Sequence, residues 1–465
     1  MSFASFAFAI FFPVVLCGTL FAERRLNARA REVFLLAASY FFYGYWDWRF
    51  CFLLLFVTAI SFWSAQHTEN KTVFTIGVVT PLVVLAFFKY FNFFLASASM
   101  VIGRELGALR IILPVGISFY TFQALSYVID VHRGRIPVEK SFVKLALYVS
   151  FFPQLVAGPI VRASDFLPQL YEDRRITWPR VQEGLQIMAL GLFKKIVLAD
   201  HLSVFVNDIF ARPSAFHWTT LLLCTTSYYL QIYFDFSGYS DLAIGCARCF
   251  GYDFKRNFNF PFLSQNVTEF WARWHISLST WLKEYLYIPL GGNRRGKHRQ
   301  QLNLFLTMLL GGLWHGANWT FVFWGGLNGL VLILEKKLPP LPEKYQTVPV
   351  QALRVAKHLL FMALTVIFFR ADSFSVSWSV LSGIVTLQNG IRQPFMWAFV
   401  ALVVFVVSTA VVVRRSGEKD WRRAEGFYPM LRLDTVFGLT VFFFVVGLTF
   451  ALAYTGDQPF VYFQF

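Results

Sequence analysis

Long apolar segments recur along the whole chain, and they constrain its fold more than any other feature. Between Leu302 and Leu334, 33 consecutive residues include no Asp, Glu, Lys or Arg. A membrane-spanning helix needs about 20 mainly apolar residues, because the hydrocarbon layer of a bilayer is about 30 Å thick. Further apolar segments are centred near residues 3–21, 33–46, 50–64, 73–97, 111–131, 142–160, 183–210, 216–247, 353–370, 393–413 and 435–455. The pattern predicts an all-α polytopic membrane protein.

Composition supports this fold class. Of the 465 residues, 57% are hydrophobic and only 15% are charged, whereas soluble domains carry about 25% charged residues. Some apolar segments are too short to cross alone, so we expect about 11 transmembrane helices plus re-entrant and interfacial helices. No segment suggests a separate soluble domain, and residues 1–465 are predicted to form a single membrane domain. The two halves lack the hydropathy symmetry of many secondary transporters.

The positive charge of the chain, +16 in total, lies in short loops between apolar segments. This distribution follows the positive-inside rule and does not indicate nucleic-acid binding. Residues 23–32 carry four Arg and residues 414–423 carry five Lys or Arg, so both loops are predicted to be cytosolic. The N-terminus and the C-terminal tail, residues 456–465, are then extracytoplasmic, which requires an odd number of crossings.

Cysteine usage gives no sign of a disulfide framework or a metal site. The cysteines lie in or beside apolar segments: Cys17, Cys51, Cys224, Cys246 and Cys249. The pair in "CARC", residues 246–249, has the spacing of metal ligands but lacks a second pair and a nearby His. We therefore predict no metal.

His315 is a titratable residue deep inside the apolar segment 302–334. The flanking loops, 293–299 and 335–337, are both basic and predicted to be cytosolic, so the segment must enter the membrane, turn and return. Gly311, Gly312 and Gly316 would allow the bend. Non-helical backbone at membrane depth is tolerated only beside protein or a wet cavity. The pattern predicts that His315 lies near the apex of a buried cavity lined also by Trp314 and Asn318; the alternative is a hydrogen bond across a helix interface.

A second motif, residues 266–299, carries His275. Its apolar residues recur at spacings of three and four, which predicts an amphipathic helix over 268–287. Such a helix can also lie in the membrane interface without any catalytic role. A Gly-Gly turn and a basic cluster follow, which would suit the phosphates of an anionic cofactor. The candidate phosphate ligands are Arg294, Arg295, Lys297 and Arg299.

Asp235 and Asp241 lie six residues apart in "YFDFSGYSDLAIG", residues 233–245. Carboxylates in apolar surroundings are costly unless they are paired or line a wet cavity. We predict that both line the cavity. The alternative is structural ion pairing with Arg248 or Lys255.

Several motifs together resemble the membrane-bound O-acyltransferases. The resemblance is to the bacterial branch that includes the alginate O-acetyltransferase membrane subunit and the D-alanyl transfer protein of teichoic acids. It covers nearly the whole chain, with a catalytic core of about residues 113–334. The segments that carry it are "LPVGISFYTFQALSYVIDVHRG" (113–134), "FFPQLVAGPIVR" (151–162), "QIYFDFSGYSDLAIG" (231–245), "NFNFPFLSQNVTEFWARWHISLSTWL" (257–282) and "LFLTMLLGGLWHGANWTFVFWG" (304–325).

The resemblance implies a helical fold around a central catalytic cavity. The catalytic histidine of the family corresponds to His315, and its upstream polar position, which is Asn in some relatives, corresponds to His275. The family passes an acyl group from a thioester to a hydroxyl, so acetyl-coenzyme A is the expected donor, without a metal or prosthetic group. A buried neutral imidazole suits the role of general base near pH 7.

The resemblance also implies the location and partners of the protein. We expect a multi-pass protein of the bacterial inner membrane that acetylates an exported polysaccharide or cell-wall glycan with a periplasmic SGNH-like acetyltransferase or esterase. The tail "PFVYFQF" resembles one proposed to receive the acyl group, which would make Tyr462 the acceptor; an interfacial aromatic anchor is the alternative. Two other functions stay open from the sequence: a proton-coupled transporter that uses His315 and the Asp pair, and direct acylation of a lipid or peptide.

Overall fold

The computed structural model describes residues 1–156, 158–339, 342, 347–415, 430–456, 458 and 460. Over these residues the secondary structure is helical, with one isolated bridge between Phe216 and Ile391 and no strand. The all-α prediction is confirmed. The α-helices of the described residues are α1 Phe6–Arg25, α2 Ala28–Asp47, α3 Arg49–Gln66, α4 Lys71–Leu85, α5 Phe91–Ile102, α6 Ile117–His132, α7 Phe142–Ser150, α8 Phe152–Leu155, α9 Ala163–Phe166, α10 Trp178–Leu192, α11 Asp200–Ala211, α12 Trp218–Cys249, α13 Val267–Arg273, α14 Ile276–Leu282, α15 Gly296–His315, α16 Trp319–Lys337, α17 Val348–Arg370, α18 Phe374–Val385, α19 Met396–Arg415 and α20 Val436–Ala451. Shorter π-helical segments are Ala86–Tyr90, Phe193–Ala199 and Lys283–Tyr287, and 3₁₀ turns are Leu167–Leu170, Pro213–Ala215 and Pro261–Leu263.

Long apolar helices identify a multi-pass membrane protein. Among the described residues, four helical segments are long and apolar enough to cross a bilayer: Phe6–Arg25, Arg49–Gln66, Lys71–Ile102 and Pro349–Arg370. Large apolar side chains on them are exposed, as expected for surfaces that face lipid. The total of about 11 crossings and the extracytoplasmic location of both termini stay predictions.

Short polar residues fix where several helices begin. Asn27 accepts a hydrogen bond from Ala30 N at 2.8 Å, and Asn266 accepts one from Glu269 N at 2.8 Å. Ser5, Asn70 and Ser141 cap α1, α4 and α7 in the same way. Each cap satisfies an amide that has no partner within its helix. The boundaries therefore fall where Ser or Asn interrupts the apolar sequence.

The chain divides into two compact units that interleave in sequence. Unit 1 comprises Met1–Gly191, Tyr239–Lys255 and Leu433–Val436, and unit 2 comprises Leu192–Gly238, Arg256–Arg432 and Phe437–Phe465. In unit 1, α1 packs on α2, and α3 packs on α4 and α6. Charged residues of unit 1 form a network in which Arg174, Arg180 and Arg248 all bond to Asp253.

Unit 2 is built around the helical hairpin of α15 and α16. The predicted turn of the segment 302–334 is confirmed, since α15 ends at His315 and α16 begins at Trp319. The glycines act differently from the expectation: Gly311 and Gly312 lie within α15, and the chain bends at residues 316–318. A Cβ on Gly312 would lie 3.0 Å from Gly325 Cα, so the two backbones touch and only glycine fits.

The predicted single helix over 268–287 is wrong. The chain forms α13, breaks at His275, and continues as α14 and the π-helical segment Lys283–Tyr287. His275 has φ 43° and ψ 53°, the left-handed conformation that an L-residue adopts only at a cost. The apolar spacing continues through the break, so the periodicity does not reveal the change of direction.

Candidate active site

His275 and His315 lie together in unit 2, with ring centroids 6.5 Å apart. Both are buried, with 0% and 3% of their surface exposed. His315 is the last residue of α15, and His275 is one of the two residues between α13 and α14. Both predicted catalytic histidines therefore stand at helix ends, where backbone geometry sets the direction of the side chain.

Asn257 holds His275 in its left-handed conformation. The Asn257 carbonyl oxygen accepts from Ile276 N at 2.9 Å, and its side-chain Oδ1 lies 3.1 Å from His275 Nδ1. The same Oδ1 accepts from Ser277 N at 3.3 Å and from Ser277 Oγ at 2.9 Å, which identifies it as oxygen. His275 Nδ1 therefore carries the hydrogen and donates it, and in the neutral ring Nε2 is left as the proton acceptor.

Aromatic rings surround both imidazoles. The rings of Trp324 and Phe369 lie 5.5 Å and 5.2 Å from the His315 ring, both nearly perpendicular to it. The Phe236 ring meets His275 edge to face at 4.6 Å. Such walls exclude water and lower the local dielectric, which strengthens any polar interaction made inside them.

A small cavity of about 20 Å³ lies beside His315. This volume suits one water molecule or a group of similar size, such as a methyl group. Tyr229 and Trp324 both contribute to the wall of this cavity. The Tyr229 hydroxyl and the Trp324 indole N–H are buried and have no hydrogen-bond partner among the described residues, which is uncommon for buried donors. The lining residues are Tyr229, Ile232, Phe270, Trp274, His315, Trp324, Met362, Val366 and Phe369.

The two other residues predicted to lie beside His315 differ in their roles. Trp314 is buried, and its ring lies 5.1 Å from His315 and 5.9 Å from His275. Asn318 caps α16 through Thr320 N at 3.0 Å and donates to the Asp372 carbonyl oxygen at 2.9 Å. It is absent from the lining of the small cavity. Trp314 thus belongs to the histidine site, whereas Asn318 holds the turn of the hairpin.

Asp235 and Asp241, the two aspartates predicted to line the cavity, are both buried. Asp235, 1% exposed, pairs with Lys195 at 2.8 Å rather than with Arg248 or Lys255. Asp241 is also buried but belongs to unit 1. The alternative of structural ion pairing therefore holds for Asp235, with a partner that the sequence did not suggest.

The basic cluster lies at the opposite end of α15 from His315. Its residues are all exposed, in the loop before the helix and in its first turn: Arg294, Arg295, Lys297 and Arg299. At 1.5 Å per residue, Arg299 is about 24 Å from His315 along the helix axis. Binding of coenzyme A phosphates by this cluster stays a prediction.

Tyr462 lies outside the described residues, but part of the tail before it is described. Phe460 is fully buried. Its ring centroid lies 5.9 Å from that of Phe236, the residue in edge contact with His275. The tail thus approaches the histidine site at residue 460.

Sequence reasoning did not identify Asn257, Tyr229, Trp324 or Lys195. Asn257 opens the motif "NFNFPFLSQN" and was visible only as part of a resemblance. Tyr229 and Trp324 are two aromatic residues among many in this chain. Their isolation from polar partners, which sets them apart, is a property of the folded protein.

Known proteins resemble this chain over most of its length. A model of the membrane-bound O-acyltransferase family matches residues 35–356. A probable alginate O-acetylase of Azotobacter vinelandii is 41% identical over 394 residues, covering 81% of this chain and 77% of its own length. A peptidoglycan O-acetyltransferase of Helicobacter pylori is 35% identical over 420 residues, covering 83% and 79%.

A more distant relative, a teichoic acid D-alanyltransferase of Bacillus subtilis, is 26% identical over 250 residues, covering 50% of this chain and 62% of its own length. The matched family region contains both buried histidines, Asn257 and the α15–α16 hairpin. The chain therefore belongs to the membrane-bound O-acyltransferase family and is an O-acyltransferase.

Proposed function

We propose that this chain transfers an acetyl group from cytosolic acetyl-coenzyme A toward hydroxyl groups of an exported polysaccharide or cell-wall glycan. The observation that carries the proposal is the pair of buried imidazoles, 6.5 Å apart, with a cavity of methyl size beside His315. The alginate and peptidoglycan acceptors in the names of the relatives support a glycan as the final acceptor.

His315 acts as the general base in this proposal. As the acceptor oxygen attacks the thioester carbonyl carbon, the imidazole takes the proton of the hydroxyl. The carbon–sulfur bond then breaks, and the same proton passes to the leaving thiolate, which departs as free thiol. His275 donates its Nδ1 hydrogen to Asn257, so its Nε2 faces the site as an acceptor that orients the reacting hydroxyl.

The tetrahedral intermediate carries negative charge on the former carbonyl oxygen, which needs donors that are already in place. Tyr229 and Trp324 supply such donors at the cavity beside His315. Preorganised donors in a water-excluded site are worth about 10²–10³ in kcat each. We assign to these two residues the stabilisation of the oxyanion.

The donor enters from the cytosolic side in this proposal. Arg294, Arg295, Lys297 and Arg299 are exposed cations that would pair with its phosphates. The thioester must then reach across most of the length of α15 to His315, about 24 Å from Arg299. A long flexible arm between phosphates and sulfur meets this requirement.

The acyl group leaves through the C-terminal tail in this proposal, with Tyr462 as its first acceptor. Support comes from Phe460, buried against the ring that contacts His275. A periplasmic SGNH-like acetyltransferase or esterase would take the acetyl group from the tyrosine ester and pass it to the glycan.

The experiment incubates purified protein with acetyl-coenzyme A labelled in the acetyl group, and follows free thiol and the label on the C-terminal peptide. Wild type should release thiol and label the peptide, and His315→Ala should lower both by at least about 10²-fold. Tyr462→Phe removes the acceptor hydroxyl, so it should abolish the peptide label and lower thiol release with it. His67→Ala is the matched control, because His67 is an exposed histidine of unit 1. Equal thiol release by wild type and His315→Ala would refute the general base.

A further inference from the structure

A buried ion cluster in unit 2 binds the tail of the chain. Lys195 is 3% exposed, and its ammonium lies 2.7 Å from Asp200 Oδ1 and 2.8 Å from Asp235 Oδ1. The same ammonium donates a hydrogen bond to the backbone carbonyl oxygen of Gln458 at 3.2 Å. Lys195 therefore pairs with two buried carboxylates and also bonds to the backbone of the tail.

The two carboxylates and the Gln458 carbonyl have different roles around Lys195. Asp200 and Asp235 belong to α11 and α12, and they offset the cost of burying a positive charge. Lys195 can stay charged and paired with these two carboxylates without the Gln458 carbonyl. Its bond instead joins the tail to the helical body of unit 2.

A second attachment precedes this one along the tail. Tyr454 N donates to the Ile196 carbonyl oxygen at 2.9 Å, and the Tyr454 ring lies 5.5 Å from that of His201. Ile196, like Lys195, belongs to the π-helical segment Phe193–Ala199. Single π-turns of this kind occur frequently at functional sites. One short segment of chain therefore holds the tail at two points, residues 454 and 458.

The same cluster leads to the histidine site. Asp235 is followed directly by Phe236, whose ring contacts both the buried Phe460 of the tail and His275. Any loosening of the tail at Gln458 would release Phe460 from this contact. The position of the tail relative to His275 thus depends on Lys195.

We propose that Lys195, held by Asp200 and Asp235, is a positioning residue that keeps the C-terminal tail docked beside His275 for acyl transfer. The docking itself rests on the contacts above, and its purpose rests on the proposed function of the tail as acyl carrier. Lys195 takes no part in breaking the thioester. Because the tail supplies the acceptor hydroxyl in the proposed reaction, loss of Lys195 should lower tail acylation and thiol release together and leave the binding of acetyl-coenzyme A unchanged.

The test uses the full-length protein and measures hydrogen exchange of the peptide that contains residues 453–460. Lys195→Met alone leaves two buried carboxylates without their cation, which can prevent folding. The main variant is therefore the uncharged triple substitution Lys195→Met, Asp200→Asn and Asp235→Asn. Exchange of the peptide should rise by about tenfold or more, while peptides of the α15–α16 hairpin stay protected. Lys255→Met is the matched control, because that exposed lysine pairs with Asp165 at 2.7 Å in unit 1.

Thiol release and label on the tail are measured on the same samples. The proposal expects kcat for thiol release and the tail label to fall together by at least about tenfold, with the KM for acetyl-coenzyme A within about twofold of wild type. Unchanged protection of the tail in a folded triple variant would overturn the docking role of Lys195, and so would wild-type thiol release and label from a variant whose tail has lost its protection. Absence of thiol release from wild type would count against the proposed function, and the exchange experiment would still decide the docking.

Discussion

His275 Nδ1 lies 3.1 Å from Oδ1 of Asn257, and both side chains are buried. The two residues are 18 positions apart, yet the bond determines which nitrogen of His275 carries the hydrogen. A neutral imidazole released from such a partner is free to adopt the other tautomer, in which Nε2 carries the hydrogen.

Asn257→Ala should therefore lower kcat about 10- to 100-fold with little change in KM, because the wrong tautomer cannot accept at Nε2. Steady-state thiol release from acetyl-coenzyme A measures both constants. Ser277→Ala is the control, since it removes another donor to the same Oδ1 and leaves the bond to His275 intact. Equal losses in the two variants would assign Asn257 a merely structural role.

The left-handed backbone of His275 predicts an unusual order of stability. His275→Gly should be more stable than His275→Ala by about 1 kcal/mol, because glycine adopts a φ near +43° without strain. Both variants lack the imidazole and should be equally impaired in thiol release. At Ser277, inside α14, the order should reverse, with Gly less stable than Ala. Unfolding midpoints of the four variants in detergent give the comparison, and the same order at both positions would contradict it.

The size of the cavity beside His315 predicts selectivity for the acyl chain. Val366→Ala removes methyl groups from its wall. The ratio of kcat/KM for propionyl- over acetyl-coenzyme A should rise about tenfold, since one methylene in an apolar pocket is worth about 1–3 kcal/mol. Leu364→Ala is the matched control, on the same helix and absent from the lining. An unchanged ratio in Val366→Ala would show that the acyl group does not occupy this cavity.

The Asp253 network predicts a pH dependence of stability. Burial alone would raise the pKa of the Asp253 carboxyl, but the hydrogen bond from Arg174 and the charges of Arg248 and Arg180 hold it below its usual value. A lowered folded-state pKa stabilises the protein above the unfolded-state pKa, about 3.9. That stability is lost as the pH falls through the lower folded-state pKa.

Asp253→Asn should therefore unfold more easily at pH 7, by about 0.5–1 kcal/mol, a range that allows for the solvent exposure of the carboxylate. The gap between wild type and variant should begin to narrow as the pH falls below about 4 and should go on narrowing through the lower folded-state pKa. Thermal unfolding over a series of falling pH values measures it. Asp173→Asn, at an exposed pair with Arg175, should show no gap, and a gap for Asp253→Asn that did not narrow at all on acidification would contradict the assignment.

The sequence predicted that the chain turns beside His315, because the signal for this turn is local. A long uncharged segment between two basic loops must turn back, and the turn falls at His315. The break at His275 was missed because a single left-handed residue leaves the spacing of apolar residues unchanged on either side.

Lys195 was missed for a different reason. In "LFKKIVLAD" it is one of two adjacent lysines, and its partner Asp235 lies 40 residues further along the chain. Only packing shows which of the two lysines is buried and what it meets. Asn257 was missed for the same reason, because the role of this loop asparagine shows only when its side chain is seen bonded to His275.

The contact of Gly312 with Gly325 has a consequence for how such a protein tolerates change. Because α15 and α16 touch backbone to backbone, the position of His315 depends little on the side chains on the outside of the hairpin. Leu310, Phe323 and Leu330 are all more than 40% exposed there. Side chains at these outer positions can therefore change to suit membranes of different lipid composition, while the geometry around His315 stays the same.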